Sequence, residues 1–229
     1  MRDDAPWYSP SPGDSVLSLA FGATYVPSPQ AGTVFHAALA PWRRGPFRLA
    51  VTWSYVSTRG ANGEAFGFGD PKMFARLRLA GGDSTAARFY AEGAARIPTA
   101  SAKLFPFAYG GQELDLQGVL ALGRGRNQVL CGGGGSWTEP SEGMSSSDVP
   151  HSVRGWGQLG RRGQHWAAHV RGDYWRMEGD ARRTAVEAGV TRFETSGMRL
   201  TVAGGVEVGP RADRAIDSFV HLRFATRLR

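Results

Sequence analysis

Charged residues recur at every second position in several stretches of this 229-residue chain. Lys72, Arg76 and Arg78 alternate with Met73, Ala75, Leu77 and Leu79. Arg88, Tyr90, Glu92 and Arg96 alternate with Phe89, Ala91, Ala95 and Ile97, and Glu113, Asp115 and Gln117 with Leu114, Leu116 and Leu120. Successive side chains of a strand point to opposite faces, so each stretch presents one apolar face and one charged face. Consecutive strands that pair would set Arg76 and Arg78 beside Arg88, Glu92 and Arg96, and these beside Glu113 and Asp115. Two kinds of chemistry follow. Opposed charges on neighbouring strands make a ladder of cross-strand ion pairs that fills and stiffens a narrow barrel. A ring of arginines instead makes a constriction that selects permeating anions. The alternation of signs favours the ladder, and an excess of Arg remains in either reading. Arg171, Asp173, Arg199, Glu207 and Arg223 fall on the corresponding faces of later strands and join the list of lumen-lining candidates.

Other chemistry finds little support. His165 and His169 stand on one face of a strand, about 13 Å apart along it, too far to ligate one metal ion. Ser152 beside His151 is the only neighbouring pair resembling a nucleophile and base, and adjacent strand residues point opposite ways, so no catalytic residue is assigned. Cys131 is the single cysteine, which excludes an intramolecular disulfide and every multi-cysteine metal motif. Neither metal nor cofactor is expected. The net charge of +7, nearly all Arg because Lys72 and Lys103 are the only lysines, fits an acidic ligand, an anionic surface or a GC-rich genome. Nucleic-acid binding would gather basic and aromatic residues on one surface, whereas here the cations alternate with apolar residues on every strand.

These faces must be positioned by strands. About twelve segments of some ten alternating residues are separated by Gly, Pro, Ser or Asp clusters, and helix signals are nearly absent. They begin with SVLSLAFGATY, TVFHAALA and FRLAVTWSYVS and end with MRLTVAGGVEV and AIDSFVHLRFATRL. QVLCGGGGSWT is too glycine-rich for its faces to be told apart, and HSVRGWGQLG is a poor strand by propensity. The connections PWRRGP, AGGDS, GRGRN, RRGQ and ETSG are short, whereas 58–68, 98–112 and 139–150 read as long loops. That alternation is the plan of an outer-membrane barrel. EGDARR and GPRADRA break it, being modest where long loops belong.

The expected fold is therefore all-β: a single antiparallel up-and-down transmembrane β-barrel over 15–229, preceded by a periplasmic segment at 1–14. In a membrane barrel the apolar face meets lipid and the charges line the lumen; in a soluble barrel the two are exchanged. Apolar faces rich in Leu, Val, Ala and Gly favour the membrane. So do aromatic residues near strand ends, namely Trp42, Phe47, Tyr55, Trp137, Trp166, Tyr174, Phe193 and Phe219. The terminal FATRLR lacks the final aromatic usual in such barrels. No apolar run reaches the roughly 18 residues of a membrane helix. The N-terminus lacks the apolar core of a signal peptide, so an exported protein would be represented by its mature chain. The expected partners are the lipid bilayer of the bacterial outer membrane and a small-molecule permeant. The alternatives are a non-conducting barrel whose loops bind a partner, and a soluble β-barrel binding protein.

GFGD at 67–70, following WSYVSTRG and leading into an alternating strand, resembles the Gly-apolar-Gly-Asp entry of the MetA-pathway-of-phenol-degradation family, part of a broad group of outer-membrane barrels that includes fatty-acid transporters. RIPTAS at 96–101 is similar to that family's Leu-Pro-Thr-Gly stretch, with Ala100 where Gly is usual. YGGQELDLQGVLALG at 109–123 is similar to its Gly-rich loop and Asp-Leu strand. The resemblance spans roughly 45–123 and implies a barrel that passes hydrophobic small molecules. Physically, Gly67, Gly69 and Asp70 read as a structural turn in which the glycines permit a tight entry and Asp70 accepts backbone N–H bonds.

Overall fold

A computed structural model describes residues 18–26, 31–44, 46–60, 63–82, 85–100, 111–124, 126–139, 151–177, 182–193, 198–208 and 218–227. All regular structure among them is strand: β1 (Ser18–Val26), β2 (Ala31–Arg44), β3 (Phe47–Gly60), β4 (Gly63–Phe68), β5 (Lys72–Ala80), β6 (Ala87–Arg96), β7 (Gln112–Arg124), β8 (Asn127–Glu139), β9 (Ser152–Arg162), β10 (Trp166–Met177), β11 (Arg182–Phe193), β12 (Arg199–Val208) and β13 (Ser218–Arg227). Apart from β4 and β5, which do not pair with each other, each pairs antiparallel with its sequence neighbours in an up-and-down order. β1 pairs with β13 on one edge and β2 on the other, and β2 pairs with β3, so the pairings make a full circuit. β4 and β5 share one place in it: β3 pairs with β5 through Phe47–Thr52 and with β4 through Tyr55–Gly60. Thirteen segments thus fill twelve strand positions.

The interruption between β4 and β5 is the glycine-aspartate stretch. Gly67 lies within β4 opposite Val56, so it is a strand residue and not part of the turn expected there. The break covers Gly69, Asp70 and Pro71, where Gly69 N–H donates to Ser54 O at 2.9 Å and holds the strand against β3. The 58–68 stretch, expected as a long loop, is likewise strand: β3 runs on to Gly60 and β4 returns from Gly63. The alternation simply continues there, with Val56 and Thr58 buried while Phe66 and Phe68 are 75% exposed. The expected loops at 98–112 and 139–150 fall largely on residues outside those described, as does the 1–14 segment.

The two faces divide as the period-two pattern requires. Met73, Leu77, Leu79, Leu114, Leu116, Val170, Val190, Val202 and Leu222 are exposed on the outer surface, whereas Lys72, Glu92, Gln158, Arg171 and Asp173 are buried inside. The inner face is not uniformly polar. Ala50, Phe74, Ala94, Val119, Ala121, Leu130 and Trp156 form an apolar cluster along β3 and β5 to β9, with Tyr90 packed against it.

Two ends are distinguishable. The ends of β2, β5, β7, β9 and β11 and the starts of β3, β6, β8, β10 and β12 lie at one, the short-turn end, and the ends of β6 and β8 and the starts of β7 and β9 lie at the other. Gly81 shows why glycine occupies the first of the β5–β6 connection: its φ is +82°, and a Cβ there would come within 2.2 Å of Ala87 O.

A candidate functional site on the charged interior face

The interior charges form two connected groups. In the first, Lys72 Nζ lies 2.9 Å from Glu113 Oε1 and 2.5 Å from Asp115 Oδ2, and Arg96 Nε donates to Glu113 Oε2 at 2.7 Å. Lys72 and Arg96 are direct cross-strand partners, so Glu113 separates two like charges. In the second, Arg76 donates to Glu92 Oε1, Gln117 Nε2 donates to Glu92 Oε2 at 2.9 Å, and Trp156 Nε1 donates to Gln117 Oε1 at 3.0 Å. The Trp156 ring in turn lies under the Arg171 guanidinium, 4.3 Å from its centroid. Arg171 grips Asp173 with two bonds of 3.0 Å, and Arg154 approaches Asp173 at 3.3 Å. The chain of contacts therefore runs from β5 to β10.

Trp156 and Gln117 sit on strands that are not neighbours, and the strand between them explains how they meet. Trp156 is registered against Gly132 of β8, and a Cβ on Gly132 would lie 2.6 Å from the indole. The missing side chain lets the ring lie across β8 and reach β7. QVLCGGGGSWT is thus a strand whose glycines give passage to a bulky neighbour, and HSVRGWGQLG is a full strand despite its poor propensity, held by pairing on both edges.

The expected ladder is present in part. Arg76 with Glu92 and Arg96 with Glu113 are opposed across strands and bonded, and Tyr90 faces Arg78 in the register while the Arg76 guanidinium stacks 4.6 Å above its ring. Arg171 and Asp173 are the most deeply buried charges, with side chains 1% and 0% exposed. Arg78, Arg88, Arg199, Glu207 and Arg223 are half-buried on the same face. Lys72, Arg154, Gln117 and Trp156 complete the network but were not among the lumen candidates. The parity of Lys72 with Arg76 pointed to it; no pattern in the sequence pointed to Trp156.

Asp70 uses its carboxylate as expected of a turn. Oδ1 accepts from the backbone N–H of Thr99 at 2.8 Å and of Ala100 at 2.7 Å. The GFGD and RIPTAS stretches are therefore bonded to each other. The histidine expectations change. His165 precedes β10 in an exposed turn and is not on the strand with His169, whose Nε2 lies 3.1 Å from Glu187 Oε1. His151 Nδ1 accepts the N–H of Thr138 at 3.0 Å, which commits it to holding the start of β9 against β8.

A ring of antiparallel strands with an apolar exterior and charged interior is the architecture of outer-membrane channels. Solved structures share this fold. An outer-membrane channel from Pseudomonas putida F1 superposes with a TM-score of 0.68 at 16% identity, over 98% of this chain and 99% of that one. The KdgM porin gives 0.65 at 6% identity, over 93% and 99%. The β domain of the Bordetella autotransporter BrkA gives 0.50 at 11% identity, over 93% and 98%. No protein-family model and no curated protein matches the chain, so the likeness to the phenol-degradation family rests on the quoted motifs alone.

Proposed function

We propose that this chain is a bacterial outer-membrane barrel that passes small molecules passively, with 15–229 forming the barrel and 1–14 lying in the periplasm. One observation carries the reading: the residues that would cost most to bury, Arg171, Asp173, Lys72 and Glu92, are inside, while Leu, Val and Met side chains cover the outside. A soluble protein would expose that apolar surface to water, an arrangement that favours aggregation; a bilayer gives it a matching solvent. The charged residues, among them Arg76, Arg78, Arg88, Glu92, Arg96, Glu113, Asp115, Arg171, Asp173, Arg199, Glu207 and Arg223, with Tyr90, then line the passage. The ion-paired group from β5 to β10 and its apolar cluster thicken one wall and narrow it. The motif resemblance favours hydrophobic permeants and the Arg excess acidic ones. The barrel acts through its pore and not as a catalyst.

The test is solute flux. Liposomes carrying the refolded protein swell in small sugars or organic acids, and planar bilayers show discrete current steps. A barrel that inserts fully yet passes neither ions nor solutes would overturn the pore and leave a loop-presenting scaffold.

A further inference from the structure

The outer face is not apolar throughout. At the short-turn end of β8 and β9 it changes within one step of the strand from Val129 and Leu159, exposed and direct partners, to Asn127 and Arg161, also partners and both exposed. Two positions along a strand span about 7 Å, so the change is abrupt. Arg126 is exposed in the β7–β8 turn, and its carbonyl accepts the Arg162 N–H at 2.8 Å, which fastens this turn to the end of β9. Beyond Arg161 on the same face comes Gly163, whose N–H donates to Trp166 O at 2.7 Å. A Cβ on Gly163 would lie 2.8 Å from the indole nitrogen of Trp166, so the exposed ring lies across Gly163, toward the turn that carries Arg126. Two guanidinium groups and an indole thus share one patch beside a strip of apolar surface. No acidic residue interrupts it in the sequence: 116–138 and 149–172, which cover most of these two hairpins, contain neither Asp nor Glu. Asp83 and Glu194 belong to the flanking β5–β6 and β11–β12 connections, outside the described residues.

We infer that this patch is a binding site for an anionic phospholipid, with the phosphate oxygens among Arg126, Arg161 and the Trp166 indole and the acyl chains on Val129 and Leu159. A guanidinium offers phosphate two parallel N–H donors, and an indole beside it suits the boundary between membrane and water. The inference rests on the membrane placement proposed above but needs no pore. It adds a lipid partner and a side, the leaflet that meets the short turns. Inorganic phosphate has the same oxygens but nothing to lay on the apolar strip, so the strip commits the site to a lipid.

The full chain, refolded in a non-ionic detergent, is titrated with phosphatidylglycerol or with phosphatidylcholine of the same chains, and retained lipid is counted by native mass spectrometry. Phosphatidylglycerol should bind about tenfold more tightly, the scale expected of two cations at a membrane surface. Arg126→Gln combined with Arg161→Gln should lower its affinity to that of phosphatidylcholine. Trp166→Phe keeps a ring and removes the N–H, and should weaken retention about threefold, as for the loss of one hydrogen bond. Arg59→Gln, which removes an exposed cation at the opposite end of β3, should leave retention unchanged. Heat-modifiable gel migration checks that each variant folds. Equal retention of the two lipids, or parent-like retention by the double variant, would overturn the site while leaving the barrel in the membrane. Inorganic phosphate bound with the same arginine dependence, in a barrel that retains no lipid, would assign the patch to a free anion and overturn the lipid. A chain that folds as a monomer without detergent removes the membrane placement and the site with it. Retention in a barrel that passes no solute upholds the site and removes the pore alone.

Discussion

Trp156 donates its indole N–H to Gln117 Oε1 at 3.0 Å across an intervening strand, and the intervening residue is Gly132. A tryptophan, a glycine and a glutamine on three successive strands thus form one unit that links the Arg76–Glu92 pair to the Arg171–Asp173 pair. The unit ties five strand positions together through side chains, in addition to the backbone ladder.

Gly132→Ala places a Cβ within 2.6 Å of the indole and forces Trp156 off Gln117. Overpacking of this kind costs about 1–3 kcal/mol. Thermal unfolding in detergent, read by loss of heat-modifiable migration, should shift down for Gly132→Ala. The combination with Trp156→Ala should be less harmful than the sum of the two single changes, because the ring that clashes is gone. Strictly additive losses would show that the two residues do not act on one another.

Glu92 accepts from both Arg76 and Gln117 while buried. Glu92→Gln leaves the Arg76 guanidinium without its counter-charge, and breaking a buried pair at one partner costs about 3–5 kcal/mol. Arg76→Met with Glu92→Met removes both charges and should cost less than Glu92→Gln alone. Denaturant titration in micelles measures the order, and a milder effect of the single change would contradict the buried-pair account.

Asp70→Ala removes one oxygen that serves two backbone donors, at a cost of about 1–3 kcal/mol per unsatisfied buried group. Asp70→Asn keeps a carbonyl oxygen and should retain most of the stability. Protease cleavage between Ile97 and Ala100 should rise sharply in the alanine variant and only slightly in the asparagine variant. Equal cleavage in both would mean that the negative charge, not the acceptor geometry, holds the two motifs together.

Val170 stands near the middle of β10 with 53% of its surface exposed on the outer face. On the proposed membrane placement, Val170→Arg costs about 2–4 kcal/mol, as for a cation near the bilayer midplane. Folding yield into lipid vesicles should fall accordingly. A yield equal to the parent's would place Val170 away from the hydrocarbon.

Much of the fold can be read from the sequence because a strand's two faces declare themselves residue by residue. The sorting of Lys72, Arg76 and Arg78 from Met73, Leu77 and Leu79 needs no partner to be visible, and the structure keeps it. The side chains that meet across strands are less legible, since register decides them. Arg76 opposite Glu92 follows from the hairpin, but Trp156 reaches Gln117, two pairings away, only over the gap at Gly132, and a run of four glycines reads as a weak strand until its neighbour is known. The misjudged loop at 58–68 has a similar cause: Thr58, Arg59 and Gly60 look like turn chemistry, while the ladder with Gly63–Phe68 holds them extended. His165 differs again, because strand ends are set by hydrogen bonding and not by parity.

The placement of the apolar exterior against lipid underlies every functional statement, and detergent dependence of folding tests it most directly. The purified chain is refolded with and without a mild detergent, and sheet circular dichroism, heat-modifiable migration and mass in solution are compared. Sheet structure with a compact, heat-sensitive band that appears only in detergent is the predicted result. A folded, monodisperse monomer in plain buffer would contradict it, since the apolar side chains displayed on successive strands from β3 to β13 cannot remain soluble and monomeric in water.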